Sequence, residues 1–273
     1  MIIDAQVHIW AADSLARPWP LGRTTQAQKP YPVTSEMILE GMNEAGVDRA
    51  VLVPPSWEGD RNDIALLAAQ SHPDRFAVMG RLPIETENRE AVRTWKAQPG
   101  MLGLRFTFHT PLQRPWLTDG TADWLWAAAE EASVPVMVFV PGSVGVIEQV
   151  AERHPTLRLV IDHLALWGKH DDAFANLGQL LRLGRLQNVA VKAMALPCYS
   201  SEAYPFPKLH KYVRQVYDAF GPRRMFWGTD WTRLPCTWRE AVTLFTEELP
   251  WLSHDDKEWI MGRALCTWLD WEF

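Results

Sequence analysis

Eight short runs of apolar and β-branched residues recur along the chain, each followed by a longer stretch with helical spacing. The runs cover 2–8, 50–54, 76–82, 102–107, 135–140, 157–163, 189–193 and 225–230. Continuous apolar runs of this length suit parallel strands buried on both faces. The helical patterns cover 35–45, 61–71, 88–97, 122–132, 144–154, 173–184 and 209–220, with two more, 238–248 and 255–269, after the eighth run. In the first, Met37, Ile38, Met42 and Ala45 share a face, with Ser35 expected as N-cap and Gly46 just past the end. Eight strands alternating with helices is the count of a (β/α)₈ TIM barrel, and 273 residues is close to its usual size of about 250. The competing open, doubly wound sheet wants a G-x-G-x-x-G after the first strand. Here His8-Ile9-Trp10 and a proline-rich loop follow it. One domain spanning 1–273 is therefore expected. The segment 11–33 is long for a βα loop, and its Pro18, Pro20, Pro30 and Pro32 suggest an ordered excursion over the barrel mouth.

Composition narrows the function classes. The net charge of −6 and the lack of a basic block argue against nucleic acid. No apolar stretch approaches the roughly 18 residues of a membrane span, and the first residues lack a basic, then apolar, leader. A soluble, cytoplasmic protein is expected, and a homo-oligomer is left open. Three scattered cysteines, Cys198, Cys236 and Cys266, make neither a disulfide framework nor a zinc knuckle.

In such a barrel the site lies at the C-terminal ends of the strands. The predicted ends deliver Gln6 and His8, Arg81, Arg105, Asp162 and His163, Lys192 and Asp230. Ionisable groups on buried strands are costly unless paired. Each alone could be structural, but six of eight strands ending this way favours a functional cluster. Gln6 and His8 are two apart on a strand and share a face. Strand eight closes against strand one, which brings the Asp230 carboxylate beside the His8 imidazole. That pair is suited to activating water. Among the 15 tryptophans, Trp10, Trp57, Trp167 and Trp231 fall near strand ends. They could form an aromatic wall or simply pack the rim.

Four ordered landmarks carry a family resemblance. They are Asp4-Ala5-Gln6-Val7-His8-Ile9-Trp10, Gly103-Leu104-Arg105, Val160-Ile161-Asp162-His163-Leu164 and Phe226-Trp227-Gly228-Thr229-Asp230-Trp231, with Asn188-Val189-Ala190-Val191-Lys192 as a weaker fifth. Together they resemble the amidohydrolase superfamily, in its amidohydrolase-related branch of lactonases and 2-pyrone-4,6-dicarboxylate hydrolase. Gln6 stands where the first histidine of the His-x-His pair is expected, and strand five ends in Val140 without a histidine ligand. Thr229 and Thr232 replace Ser and Pro, and Arg263-Ala264 replaces Asn-Ala.

The resemblance implies hydrolysis of a cyclic ester, a lactone or pyrone carrying a carboxylate. Asp230 would be general base, and His8 and His163 would polarise the carbonyl. Arg105, Arg81 and Lys192 would hold the small anionic substrate, with Gln6, Trp10 and Trp231 beside it; an arginine fork suits a carboxylate. With two nitrogen ligands missing, no metal cofactor is expected. The alternative is one divalent ion, zinc or manganese, on His8, His163 and Asp230, a possible three-ligand set. Two other functions stay open: a metal-dependent decarboxylase of an aromatic or semialdehyde acid, and a degenerate, non-enzymatic binding protein.

Overall fold

The computed structural model describes residues 1–272, the side chain of Asp171 excepted, and every predicted run forms a strand. The strands are β1 (Ile3–Val7), β2 (Arg49–Leu52), β3 (Phe76–Gly80), β4 (Met101–Thr107), β5 (Val136–Phe139), β6 (Leu159–Ile161), β7 (Val189–Met194) and β8 (Met225–Gly228). They form one parallel sheet in the order β1 to β8. The seam between β8 and β1 is drawn together by Asp230 N–H donating to Gln6 O at 3.0 Å and Thr229 N–H donating to Asp4 Oδ1 at 3.0 Å. The fold is a nearly closed (β/α)₈ barrel.

Helices α1 (Ser35–Ala45), α2 (Asp63–Ser71), α3 (Arg89–Arg93), α4 (Asp123–Glu131), α5 (Val144–Arg153), α6 (Leu177–Arg182), α7 (Pro207–Phe220), α8 (Trp238–Thr246), α9 (His254–Glu258) and α10 (Ala264–Leu269) follow the strands. Some details differ from expectation. The patterns 88–97 and 173–184 each hold only a short helix, α3 and α6, flanked by 3-10 turns. The cap of α1 is Thr34, whose hydroxyl accepts from Met37 N–H, so Ser35 is the first helical residue. The last pattern is not one helix but α9 and α10 joined by a π-helical turn, Trp259–Arg263. At the junction Gly262 packs onto strand one, where a Cβ would meet Ile3 Cγ1 at 3.0 Å and Met1 O at 3.1 Å. No helix among the described residues is long and apolar enough to cross a membrane.

Inside the barrel, period two sorts apolar floor from polar top. Met79, Val160, Ala190 and Phe226 belong to the inner apolar cluster. Two residues further on come Arg81, Asp162, Lys192 and Gly228, and two beyond Gly228 comes Asp230. Glycine is required at two close approaches. At Gly103 a Cβ would lie 2.4 Å from Pro135 O, so the Gly-Leu-Arg landmark lets β4 pass close to β5. At Gly228 it would press Ala5 N and Asp4 Oδ1 at 3.2 Å, at the seam beside the site.

Candidate active site

The strand ends open into a cavity of about 480 Å³ lined by Gln6, His8, Arg105, His163, Asp230 and Arg233, among others. The centre is Asp230, almost fully buried. His8 Nε2 lies 3.1 Å from its Oδ1, and His163 Nε2 lies 3.7 Å from its Oδ2. Arg233 Nη1 is 3.3 Å from Oδ2, and the Gln28 amide nitrogen is 3.3 Å from Oδ1. Burial alone would raise the Asp230 pKa, but the imidazoles and Arg233 outweigh it and hold the carboxyl far below its usual range. His163 is pushed down to about 3, chiefly by burial, so its imidazole is neutral at pH 7. Arg233 is a cationic partner of Asp230 at 3.3 Å, and His8 Nε2 lies closer still, at 3.1 Å.

The backbone marks the same residues. His163 (φ 53°) and Asp230 (φ 50°) are both left-handed, as are Leu164 and Ala165 after His163. Such conformations cost about 1–3 kcal/mol each in non-glycine residues and collect at functional sites. Just past β1, His8 Nδ1 contacts Val53 O at 2.6 Å, so Nδ1 donates to this carbonyl and Nε2 turns into the cavity.

Not every predicted residue reaches the cavity. Arg105 does: its Nε donates to Asp162 Oδ2 at 3.0 Å and the side chain lines the wall. Lys192 does not. It is sealed from solvent, 2.8 Å from Asp162 Oδ1, and donates to Gln6 Oε1 at 3.0 Å. The expectation that Lys192 holds a substrate carboxylate does not fit this placement, because depth commits its charge to Asp162. Asp162 is pulled up by burial, but Lys192 and Arg105 prevail and keep it ionised. Gln6 is thereby fixed, its other end 3.3 Å from His8 Nε2. Arg81 lines a second, adjoining cavity. Of the tryptophans, Trp57 and Trp167 line the main cavity. Trp10 packs edge-on against Trp57, and Trp231 stacks on Trp238; both stand behind the wall.

Sequence reasoning missed His109, Gln28, Arg233 and Tyr199, which all line the cavity. Burial, aided by Arg105, holds the His109 pKa down at about 4, and its ring packs against Phe139 and Trp167. Gln28 arrives on the 11–33 excursion, pinned to the barrel by the Trp10 N–H to Val33 O bond and by Thr232 Oγ1, which donates to Gln28 Oε1.

The amidohydrolase family model matches residues 3–264. The chain belongs to the amidohydrolase family. As an amidohydrolase it is 27% identical over 242 residues to an L-fucono-1,5-lactonase of Burkholderia ambifaria, covering 84% of this chain and 79% of that one. Three solved structures share the amidohydrolase fold. An amidohydrolase of Burkholderia multivorans with bound zinc superposes with a TM-score of 0.82 at 19% identity, covering 99% of both chains. A probable 2-pyrone-4,6-dicarboxylic acid hydrolase of Acinetobacter baumannii with citric acid bound gives 0.72 at 20%, also over 99% of both. A 5-carboxyvanillate decarboxylase of Sphingomonas paucimobilis gives 0.68 at 14%, over 98% of both.

The zinc-bound amidohydrolase overturns the expectation that no metal takes part. That expectation rested on two missing imidazoles, Gln6 and Val140 standing in their places. The donors that remain suit such an ion in kind. His8, His163 and Asp230 supply two imidazoles and a carboxylate, a set zinc accepts with a fourth position open. His8 is oriented through Nδ1 as metal-bound histidines are, and His163 is neutral, as a ligand must be. As they stand both imidazoles approach Asp230 itself, and among the described residues no group of three or more such side chains is spaced to hold an ion. An ion would therefore enter by displacing the contacts on Asp230.

Proposed function

We propose that this amidohydrolase hydrolyses a cyclic ester, a lactone or pyrone that carries a carboxylate. One observation carries the reading: a buried carboxylate, Asp230, faces two imidazole Nε2 atoms in a cavity whose wall also holds Arg105. The similarity to an L-fucono-1,5-lactonase supports the lactone, and Arg105 supports the anionic group.

Arg105 binds the substrate carboxylate with the guanidinium nitrogens that Asp162 leaves free. Trp57, Phe139 and Trp167 bound the ring and limit water. Asp230 takes a proton from the attacking water on a carboxylate oxygen, water adds to the carbonyl carbon, and the ring C–O bond breaks. The proton then passes to the departing ring oxygen, so the product is a hydroxy acid. For Asp230 to accept a proton, one of its contacts must open. Arg233 is the loop-borne partner that can do so, whereas Gln28 is held by Thr232 and His8 through Val53. His8, His163 and Asp230 are the residues that would hold a divalent ion, which when bound polarises the carbonyl and acidifies water.

The test is a panel of neutral and carboxylated lactones followed by acid release, with carbon dioxide measured in parallel on aromatic acids. Acid release from carboxylated lactones supports the reading. Carbon dioxide release with no lactone turnover would replace it with the decarboxylase.

A further inference from the structure

Beside the main cavity lies a second one of about 500 Å³, lined by Arg23, Arg81, Gln113, Trp116 and Thr121 among others. The two share Ser56 and Thr107 as a common wall. The second cavity contains a buried charge that is only partly matched.

Arg81 is 7% exposed. Its backbone is clamped on both sides by one side chain: Arg81 N–H donates to Asn62 Oδ1 at 2.7 Å, and Asn62 Nδ2 donates to Arg81 O at 2.8 Å. Its Nε donates to Asp60 Oδ1 at 3.1 Å, and that is the guanidinium's one hydrogen bond among the described residues. Nη1 is buried without a partner. A second unpartnered buried atom, Thr107 Oγ1, belongs to the shared wall. Buried cations are ordinarily paired and fully hydrogen-bonded, because an unmade bond there costs the whole desolvation of the group. Burial draws the Arg81 pKa down to about 10, and repulsion from Arg105 and Arg23 adds to this against Asp60. The two acids in the lining stand to the outside: Glu85 is exposed and Asp60 is 35% exposed. The chamber thus holds a fixed guanidinium whose one ion pair is to the partly exposed Asp60 and whose Nη1 has no partner, next to Arg105's cavity.

We infer that this chamber is a second anion subsite, which takes a distal carboxylate of a substrate whose other carboxylate is held by Arg105. Arg81 binds that carboxylate through its free nitrogens, and the Thr107 hydroxyl donates to the linker or carboxylate at the shared wall. The inference rests on the hydrolase reading of the main cavity only in calling the ligand a substrate.

The experiment is calorimetric titration of the full chain with unreactive α,ω-dicarboxylates, malonate through pimelate, and with monocarboxylates of matching length. At least one dicarboxylate should bind about tenfold or more tighter than its monocarboxylate. Arg81→Gln should abolish that advantage and leave monocarboxylate affinity unchanged. Thr107→Val should reduce it, and Arg81→Lys should retain part of it. Quenching of Trp116, identified by its loss in Trp116→Phe, should accompany dicarboxylate binding alone. No dicarboxylate advantage in the wild-type chain overturns the subsite, whatever lactones it hydrolyses. An advantage that survives in folded Arg81→Gln does the same. An advantage removed by Arg81→Gln in a chain that opens no lactone keeps the subsite and rejects the hydrolase.

Discussion

Lys192 on β7 and Asp162, just past the end of β6, stand 2.8 Å apart, both sealed from solvent, and their pairing decides which cations remain for a ligand. Asp162 is shared between Lys192 and Arg105, and only Arg105 also reaches the cavity. Removing one member of a buried pair leaves the other charge uncompensated, at about 3–5 kcal/mol. Lys192→Met should therefore cost about 3 kcal/mol, the lower end, because Arg105 still faces Asp162. Urea unfolding measures this. A variant of wild-type stability with a raised KM for carboxylated substrates would instead make Lys192 an anion binder.

The seam gives a pH prediction. Burial pushes the Asp4 carboxyl up to about 7, against hydrogen bonds from Thr229 and Gln6 that pull it down. Oδ1 accepts two backbone N–H groups, and Oδ2 touches the Thr229 hydroxyl, to which a protonated Oδ2 can donate. A carboxyl with a raised folded pKa contributes stability that is fully present below about pH 3.8 and is lost as pH rises through about 7. Unfolding curves between pH 4 and 8 should show this decline in the wild-type chain. It should be much reduced in Asp4→Asn; an unchanged decline would assign it to another group.

Gln28 should matter more for turnover than for stability. Its amide is 3.3 Å from Asp230 Oδ1 and is held by Thr232. A hydrogen bond to a charged group contributes about 1.5–3 kcal/mol. Gln28→Leu should lower kcat by about tenfold or more with KM little changed, because the carboxylate loses a positioning contact. A change confined to KM would make Gln28 a substrate contact.

The fold was largely legible because it is written in periodicity. Apolar runs located all eight strands, and their C-terminal ends singled out Arg81, Arg105, Asp162, Lys192 and Asp230. Depth was not legible. Arg105 and Lys192 have the same strand-end signal, but β7 buries Lys192 behind Gln6. His109 could have been found, since Arg105, Thr107 and His109 continue one inward face past the end of β4. Gln28 could not, because the path of the 11–33 excursion, not any repeat, brings it to Asp230. Arg233 likewise depends on the turn that follows Asp230. The expectation of no metal gave more weight to the absent ligands at Gln6 and Val140 than to the alternative set His8, His163 and Asp230.

Metal content gives a further prediction. Protein purified without chelator should carry zinc or manganese that is lost in His8→Ala and in His163→Ala, as elemental analysis would show. Metal retained at wild-type level in both variants would place the ion elsewhere.

On the proposed reading, Asp230 moves the proton in ester hydrolysis. The most direct measurement is steady-state turnover of a carboxylated lactone by wild type and Asp230→Asn, with the fold of both checked by circular dichroism. A correctly folded Asp230→Asn should lose about two to four powers of ten in kcat. Turnover within a few-fold of wild type would contradict it.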